Sequence, residues 1–297
     1  MSRHLISTRD LSRDQINEYI NNAEIMRQMG PANSRTNQTQ PILGLLFYEA
    51  STRTSSSFQA AMAKIGGTSI MVNSSYSSSQ KGETLEDTIR TMECYCDAIV
   101  LRHPERGSSK HASKVATKPL INAGDGDGEH PTQALLDLYT IYRELGQIKN
   151  QTVTFVGDLK HSRTIHSLIY SLSLYEGMTF VYVSPPGLEM PESIIQEVGQ
   201  KNISQIRNIS LETAMTMTDV LYMTRIQKER SNITAISSII LTPELMKSAK
   251  ERMIVLHPLP RTDEIELGVD ADPRAAYFRQ VENGLYMRMA ILDKSLR

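Results

Sequence analysis

The sequence has almost no net charge, only two cysteines and no long apolar run. Its 297 residues carry 32 basic and 33 acidic side chains, a formal net charge of -1, so its bulk charge does not attract nucleic acid or an anionic membrane. No apolar stretch approaches the length of a membrane span, and the first residues, MSRHLISTRD, lack the apolar core of a signal peptide. We therefore expect a soluble cytoplasmic protein that binds neither nucleic acid nor membrane.

Several kinds of site with a recognisable sequence pattern are also missing. Cys94 and Cys96 stand two residues apart in a helical pattern, a spacing that suits neither a zinc knuckle nor a redox pair, so we interpret them as buried or half-buried thiols. The sequence has no glycine-rich nucleotide-binding loop after a strand, no Asp/Glu/His cluster with metal-ligand spacing, and no obvious Ser/His/Asp or Cys/His nucleophile system. These absences argue against a nucleotide-dependent oxidoreductase and predict a protein without cofactor or metal.

Short apolar runs alternate with amphipathic stretches along most of the chain. The apolar runs have the length of strands and cover residues 42–48, 68–72, 98–101, 119–123, 152–158, 178–183, 219–223 and 253–259. Helical patterns cover residues 13–28, 54–65, 84–95, 132–145, 163–174 and 191–200. This alternation predicts an α/β fold of two domains, each a parallel β-sheet flanked by helices. One long helix over residues 130–147 is expected at the join of the domains, and residues 284–296 predict a C-terminal helix.

Arginines follow the predicted strands at their carboxyl ends, where ligands bind to open parallel sheets. Residues 51–54, Ser-Thr-Arg-Thr, stand at a strand-to-helix turn, where backbone N–H groups, hydroxyls and a guanidinium suit a phosphate. The other arginines that follow predicted strands are Arg102, Arg163, Arg225 and Arg261. Any one of them alone is explained by a helix cap or a surface charge. Arginines at five strand ends, which we expect at one edge, predict ligands with several negative charges.

A glycine-rich turn follows the predicted strand 119–123. Its glycines, Gly124, Gly126 and Gly128, predict a flexible connection to the long helix. His130 stands at the start of that helix, where it could polarise a carbonyl group, bind an anion or act only as a structural residue. Gln133 lies one helical turn further on.

Two later segments add candidate site residues. Gln227 stands two residues after an arginine, on the same side of an extended chain. Pro258 and Pro260 hold an extended backbone whose carbonyl groups can accept hydrogen bonds from an amine. The segment 74–84, SSYSSSQKGET, has the composition of a linker, but it follows a strand and carries Lys81 toward the predicted anion sites.

Seven motifs occur in order along the chain, and together they carry a family resemblance. They are FYEASTRTSSSF, QKGETLEDTI, IVLRHP, NAGDGDGEHPTQ, VGDLKHSRTIHSL, LYMTRIQKER and VLHPLPRTDEI. With them the chain resembles the aspartate carbamoyltransferase family from about Phe47 to the C-terminus. The resemblance implies a carbamoyl phosphate-binding domain of residues 1–133 with a C-terminal helix of about 284–297, and an aspartate-binding domain of residues 134–283.

The resemblance also implies an activity and a set of partners. The activity is transfer of the carbamoyl group of carbamoyl phosphate to L-aspartate in pyrimidine biosynthesis, with no cofactor, no metal and no covalent enzyme intermediate. The expected assembly is a homotrimer with active sites shared between chains. The sequence leaves open whether the trimer joins a regulatory chain or a larger assembly.

Individual roles are carried over by motif position. The residues expected to contact carbamoyl phosphate are Ser51, Thr52, Arg53, Thr54, Ser77, Lys81, Arg102, His130, Gln133, Pro258 and Leu259. Those expected to contact L-aspartate are Lys81, Arg163, Arg225, Gln227 and Leu259. Those expected to act in catalysis are Arg53, Thr54, Lys81, Arg102, His130 and Gln133. In the resembled family the serine and lysine of the 74–84 loop serve the neighbouring chain, and Ser78 is the alternative to Ser77.

Two positions depart from the family pattern, and they are linked. Ser55 stands where the family usually has Arg, and Gln59 stands where it usually has Glu. These positions face each other one turn apart on a helix, so losing both members of the pair leaves no orphan charge. We interpret the change as a local structural exchange.

Two other functions compete with this interpretation. Ornithine carbamoyltransferases share STRT and HPxQ, but they carry HCLP where this chain has HPLP, and the cationic end of ornithine needs carboxylate partners rather than Arg225. A non-catalytic scaffold with the same fold would be favoured by loss of Lys81, His130 or Arg225, and all three are retained.

Overall fold

The computed structural model describes residues 4–29, 40–73, 82–226 and 239–297. The chain forms two compact units. Unit 1 comprises Met1–Leu136 and Glu282–Arg297, and unit 2 comprises Asp137–Val281. Each unit holds one parallel sheet flanked by helices, so the predicted α/β fold is confirmed.

Unit 1 contains a four-stranded sheet. Its strands are β1 (Ile42–Phe47), β2 (Thr68–Asn73), β3 (Ala98–His103) and β4 (Leu120–Asp125), in the spatial order β2-β1-β3-β4. Its first four helices are α1 (Arg13–Met29), α2 (Thr52–Lys64), α3 (Leu85–Glu93) and α4 (Ser108–Ala112). The chain leaves β1 toward β2 on one side and returns as β3 on the other side. The connections therefore diverge between β1 and β3, which is where open parallel sheets bind ligands.

Unit 2 repeats this arrangement with five strands. They are β5 (Thr152–Val156), β6 (Thr179–Val183), β7 (Ser204–Ile206), β8 (Val220–Met223) and β9 (Ile254–Leu256), in the order β7-β6-β5-β8-β9. Helices α6 (Arg163–Leu172), α7 (Glu192–Gly199), α8 (Leu211–Met215) and α9 (Pro243–Met246) accompany them, and α5 (Pro131–Leu145) precedes them. The connections diverge between β5 and β8. We call these two places, β1/β3 and β5/β8, the switch points.

The switch point of unit 2 is closely packed at the backbone. Gly157 follows β5 with φ of +113°, and a Cβ at this position would lie 2.2 Å from the carbonyl oxygen of Thr224 after β8. The N–H of Thr224 donates to the carbonyl of Val156 at 2.9 Å. Only glycine fits this conformation and this approach, so the residue fixes how the chain leaves β5.

The unit boundaries fall inside two helices, α5 and α10 (Tyr277–Leu296). The helix predicted over 130–147 is therefore observed as α5, and the predicted C-terminal helix begins several residues earlier than Gly284. Both helices bury apolar side chains along their length, among them Leu135, Tyr139 and Met287.

Some expectations differ from the structure in detail. Cys94 caps the end of α3 and Cys96 follows it, so the pair lies after the helix; Cys96 is buried, but Cys94 is exposed. The last predicted strand, 253–259, is shorter and ends at Leu256, ahead of Pro258. Within the described ranges, no helix has both the length and the apolar character needed to span a bilayer.

Candidate active site

The start of helix α2 lies at the switch point of unit 1. Ser51 caps the helix through its backbone, and its carbonyl accepts from the N–H of Ser55 at 3.1 Å and from the Ser55 hydroxyl at 2.6 Å. Thr54 is buried, whereas Thr52 and Arg53 are exposed. The unpaired N–H groups and the positive dipole end of this helix lie at these same residues, which suits an anion.

The two residues that depart from the family pattern, Ser55 and Gln59, both fit within this helix. The Ser55 hydroxyl is satisfied by the backbone one turn earlier, and the Gln59 side chain is exposed. Neither position leaves a buried charge or a buried polar group in need of a partner. The geometry agrees with a local exchange, and it leaves the course of the α2 backbone regular.

Arg102 links three strand ends at the same switch point. It lies near the end of β3, paired with Phe47 of β1, and its carbonyl accepts from the N–H of Tyr48 at 2.9 Å. Its guanidinium lies 3.2 Å from Glu49 Oε2 and donates to the carbonyl of Ala123 at 3.4 Å. Because the arginine side chain is only 11% exposed, the Glu49 carboxylate offsets the cost of burying its charge. The sequence alone does not show Glu49 to be this partner, because an acidic residue after a strand has no pattern that reports its contact.

The glycine-rich turn before α5 is held by hydrogen bonds from backbone N–H groups to one buried carboxylate. Asp125 accepts from the N–H of Gly107 at 3.0 Å and from the N–H of Glu129 at 2.8 Å. A Cβ at Gly126 would lie 2.6 Å from the carbonyl of Pro104, so this glycine permits a close approach of two loops. The connection expected to be flexible is thus anchored at both ends.

The N-terminal segment also reaches this turn. The Glu129 carboxylate accepts from the N–H and the hydroxyl of Thr8 at 2.8 and 2.7 Å, and Ser7 donates to its other oxygen. His130 follows directly, is 4% exposed, and accepts at its carbonyl from the N–H of Gln133 at 3.0 Å. His130 and Gln133 are therefore buried residues at a helix start whose backbone is fixed by Asp125 and Glu129.

The switch point of unit 2 carries two more of the predicted arginines. Arg163 is the first residue of α6 and is 9% exposed, and Arg225 is half-buried two residues after β8. Asp158 follows β5 and accepts from the N–H of His161 at 3.0 Å, which shapes the turn into α6. The structure thus places Arg163 and Arg225 after the two strand ends that form one switch point, and two guanidinium groups at such a place suit a negatively charged ligand.

Arg261 has a different environment from the other arginines. Its guanidinium donates to Asp270 Oδ2 at 2.6 Å and to the Tyr277 hydroxyl at 3.0 Å, and it stacks 5.1 Å from the Tyr277 ring. The hydrogen bonds from Arg261 lower the pKa of Asp270, so both side chains are charged and they bind each other. The expectation of five anion-binding arginines at one edge is therefore wrong in two respects: they lie on two sheets, and Arg261 serves an internal ion pair.

Several predicted residues remain outside this geometry. Ser77, Ser78, Lys81 and Gln227 lie outside the described residues. The Pro258 and Leu259 backbone follows β9 in unit 2. Within the described ranges, no group of three or more His, Cys, Asp or Glu side chains is arranged to hold a metal ion.

Two family models match the chain. One is described as the aspartate/ornithine carbamoyltransferase carbamoyl-P binding domain and matches residues 3–143. The other is described as the aspartate/ornithine carbamoyltransferase Asp/Orn binding domain and matches residues 149–294.

Individual relatives match over nearly the whole chain. The chain is 49% identical over 298 residues to multifunctional protein CAD of Squalus acanthias, covering 98% of this chain but only 13% of that protein. It is 48% identical over 301 residues to the aspartate carbamoyltransferase catalytic subunit of Archaeoglobus fulgidus, covering 99% of each. A crystal structure of aspartate transcarbamoylase from Trypanosoma cruzi in complex with carbamoyl phosphate and aspartate superposes with a TM-score of 0.92 at 42% identity, covering 99% of this chain and 97% of that chain.

The anchoring role of Asp125 predicts a selective loss of stability. Asp125→Asn should lower the free energy of unfolding by about 1–3 kcal/mol, because an amide has one acceptor oxygen where the carboxylate has two, both of them in use. Asp127→Asn in the same turn is the matched control, and it should change little because that exposed carboxylate meets Arg106 only at 4.0 Å. Urea unfolding followed by circular dichroism measures both variants, and equal losses would contradict the role of Asp125.

Proposed function

Because the chain belongs to the aspartate/ornithine carbamoyltransferase family, we propose that it transfers the carbamoyl group of carbamoyl phosphate to the amine of L-aspartate. The products are N-carbamoyl-L-aspartate and phosphate, in a step of de novo pyrimidine biosynthesis. The observation that carries the proposal is that each sheet has arginines at its switch point, Arg102 in unit 1 and Arg163 with Arg225 in unit 2. Relatives named for the aspartate reaction, at 48% identity over the whole chain, support aspartate as the acceptor.

Carbamoyl phosphate is assigned to the switch point of unit 1. The phosphate group binds at the start of α2, to residues 51–54, and Ser77 and Lys81 add contacts. Arg102, His130 and Thr54 polarise the carbamoyl oxygen and stabilise the oxyanion that forms on it. Gln133 orients the carbamoyl amide, which also donates to the backbone carbonyl groups of Pro258 and Leu259.

L-Aspartate is assigned to the switch point of unit 2. Its carboxylates pair with Arg163 and Arg225, and Gln227, Lys81 and Leu259 complete its contacts. This placement fixes the amine so that it can attack the carbamoyl carbon. Arginines at these positions favour a dicarboxylate over ornithine, whose side chain carries a positive charge.

The reaction balances without a cofactor or metal. The aspartate amine forms a bond to the carbamoyl carbon, giving a tetrahedral intermediate whose oxyanion is held by Arg102 and His130. The bond from that carbon to the phosphate oxygen then breaks. Phosphate leaves with the electron pair of that bond and takes the proton released by the amine, so the enzyme forms no covalent intermediate.

The assembly proposed for this activity is a cytoplasmic homotrimer. In it, the loop carrying Ser77 and Lys81 completes the site of the neighbouring chain. Support comes from the family alone. The names of the relatives, a catalytic subunit and a multifunctional protein, are compatible with a further regulatory chain or a larger assembly.

The activity is tested by offering aspartate and ornithine side by side to the purified protein with carbamoyl phosphate, without added metal or nucleotide. We expect carbamoyl aspartate and phosphate in equal amounts, and no citrulline. Arg102→Ala is the matched variant, and its kcat should fall roughly 10²–10³-fold, as for removal of an oxyanion donor. Citrulline as the only product would overturn the assignment, and an unchanged kcat in the variant would remove Arg102 from the mechanism.

Sharing of sites between chains is tested by mixing two inactive variants. Lys81→Ala chains and Arg53→Ala chains are refolded together, so that hybrid trimers contain interfaces with an intact lysine on one side and an intact arginine on the other. If Lys81 serves the neighbouring chain, the mixture regains part of the wild-type activity. Each variant refolded alone is the control. A mixture as inactive as the controls would mean that the lysine acts within its own chain.

A further inference from the structure

Leu259 has a backbone conformation that its own side chain disfavours. Its φ is +50°, in the left-handed region that β-carbon-bearing residues rarely adopt. The other described non-glycine residues with positive φ are Gln40 and three asparagines, and asparagine tolerates this region better than leucine. The surrounding contacts must therefore hold Leu259 in place, and its carbonyl is one of the two that the proposed function assigns to the carbamoyl amide.

The contact that holds Leu259 comes from His257. The N–H of Leu259 donates to His257 Nδ1 at 2.8 Å, so Nδ1 must carry a lone pair and the ring proton must sit on Nε2. His257 Nε2 lies 2.7 Å from Glu264 Oε1 and donates to it. Thr262 donates to the other oxygen of Glu264 through its N–H at 3.1 Å and its hydroxyl at 2.9 Å.

Glu264 is suited to fix this tautomer. Burial alone would raise the pKa of Glu264, but the hydrogen bond from His257 and the bonds from the adjoining backbone lower it to about 2. The carboxylate therefore stays ionised through neutral pH and accepts a hydrogen bond from the Nε2–H of His257. The imidazole of His257 is therefore held in the tautomer whose unprotonated Nδ1 accepts from the N–H of Leu259.

A second chain of hydrogen bonds reaches His257 from two helices. The N–H of His257 donates to Gln280 Oε1 at 2.9 Å, and Gln280 Nε2 donates to Asp137 Oδ1 at 2.6 Å. The Tyr222 hydroxyl donates to Asp137 Oδ2 at 2.7 Å. Asp137, Gln280, His257 and Glu264 are all buried, so each of these bonds is made in a low dielectric and none competes with water.

From this geometry we propose that Asp137, Gln280, His257 and Glu264 are positioning residues that aim the backbone carbonyls of Pro258 and Leu259 at the carbamoyl amide. The proposal rests on the proposed function. The four residues touch no substrate. They act through the turn that follows β9. Changing them should therefore weaken binding of a ligand that has the amide and leave unchanged the binding of a ligand that lacks it.

Inorganic phosphate is the ligand that separates this role from a general structural one. Carbamoyl phosphate offers amide N–H groups to the two carbonyls. Inorganic phosphate offers none, so it contacts only the start of α2 and the arginines of unit 1, Arg53 and Arg102. Damage to the turn should therefore raise the KM for carbamoyl phosphate and leave the inhibition constant of phosphate unchanged. A variant that is merely less well folded would weaken both.

Gln280→Glu is the main variant, since it preserves the shape of the side chain and changes one donor to a carboxyl oxygen. The new carboxyl group and Asp137 are buried too close together to ionise fully at neutral pH, so the pair shares one proton there. When that proton is lost at higher pH the two carboxylates repel, so the KM for carbamoyl phosphate should rise roughly tenfold relative to wild type. At lower pH, where the pair keeps its proton, an O–H···O bond replaces the amide bond. The KM should then return toward that of wild type measured at the same pH.

The matched control is Gln205→Glu. Gln205 also uses both amide atoms, accepting from the Tyr182 hydroxyl at 2.9 Å and donating to the carbonyl of Ile195 at 3.0 Å, but these bonds lie away from the 257–264 turn. Its KM for carbamoyl phosphate should follow wild type at every pH. Wild type itself must transfer the carbamoyl group, so an inactive wild type would refute the proposed function rather than this inference.

A second pair of variants keeps the inference testable if Gln280→Glu does not fold. His257→Gln keeps an amide N–H near Glu264 and removes the acceptor for Leu259, whereas His257→Asn keeps an acceptor near the Nδ1 position. The KM for carbamoyl phosphate should rise more in His257→Gln than in His257→Asn, with the phosphate inhibition constant unchanged in both. Equal effects on carbamoyl phosphate and phosphate, or a Gln280→Glu enzyme that matches wild type at all pH values, would overturn the proposal.

Discussion

The divergence of connections at β1/β3 and at β5/β8 is the constraint on which the rest of the structure depends. A parallel sheet ends all its strands at one edge, and where successive connections leave in opposite directions the edge stays open. In unit 1 this leaves the start of α2 and Arg102 together, and in unit 2 it leaves Arg163 and Arg225 together. Two candidate anion sites of the same kind therefore follow from one rule applied to two sheets.

Placing arginines at such edges requires compensation, and the structure shows how it is supplied. Arg102 is nearly buried, and Glu49 with the carbonyl of Ala123 offsets its desolvation while leaving its position fixed. Arg261 shows the opposite outcome, because Asp270 pairs with it bidentately and removes it from the candidate site. A strand-end arginine is thus a candidate for anion binding only when its partners fix its position without taking up both terminal guanidinium nitrogens in a bidentate ion pair.

The sequence predicted the fold class and the arginines that follow the strands because these depend on local signals, but it did not divide those arginines between two sheets. Strands such as β1 and β5 appear as continuous apolar runs, and the residues after them are read directly from the chain. The roles of Asp125 and Glu49 were missed, because a buried carboxylate looks like any acidic loop residue until its donors are known. The Asp137–Gln280 contact joins residues 143 positions apart, and no periodicity reports such a pairing. The exposure of Cys94 was misjudged because α3 ends at Glu93, two residues before the predicted end at residue 95.

The central claim, that one switch point binds phosphate and the other binds a dicarboxylate, is tested most directly by a crystal structure with carbamoyl phosphate and succinate. Succinate has the two carboxylates of aspartate but no amine, so both ligands can bind without reacting. The account predicts the phosphate group at the backbone N–H groups of residues 51–54 and the succinate carboxylates on Arg163 and Arg225. Succinate bound elsewhere, or a phosphate group that does not contact the start of α2, would contradict it.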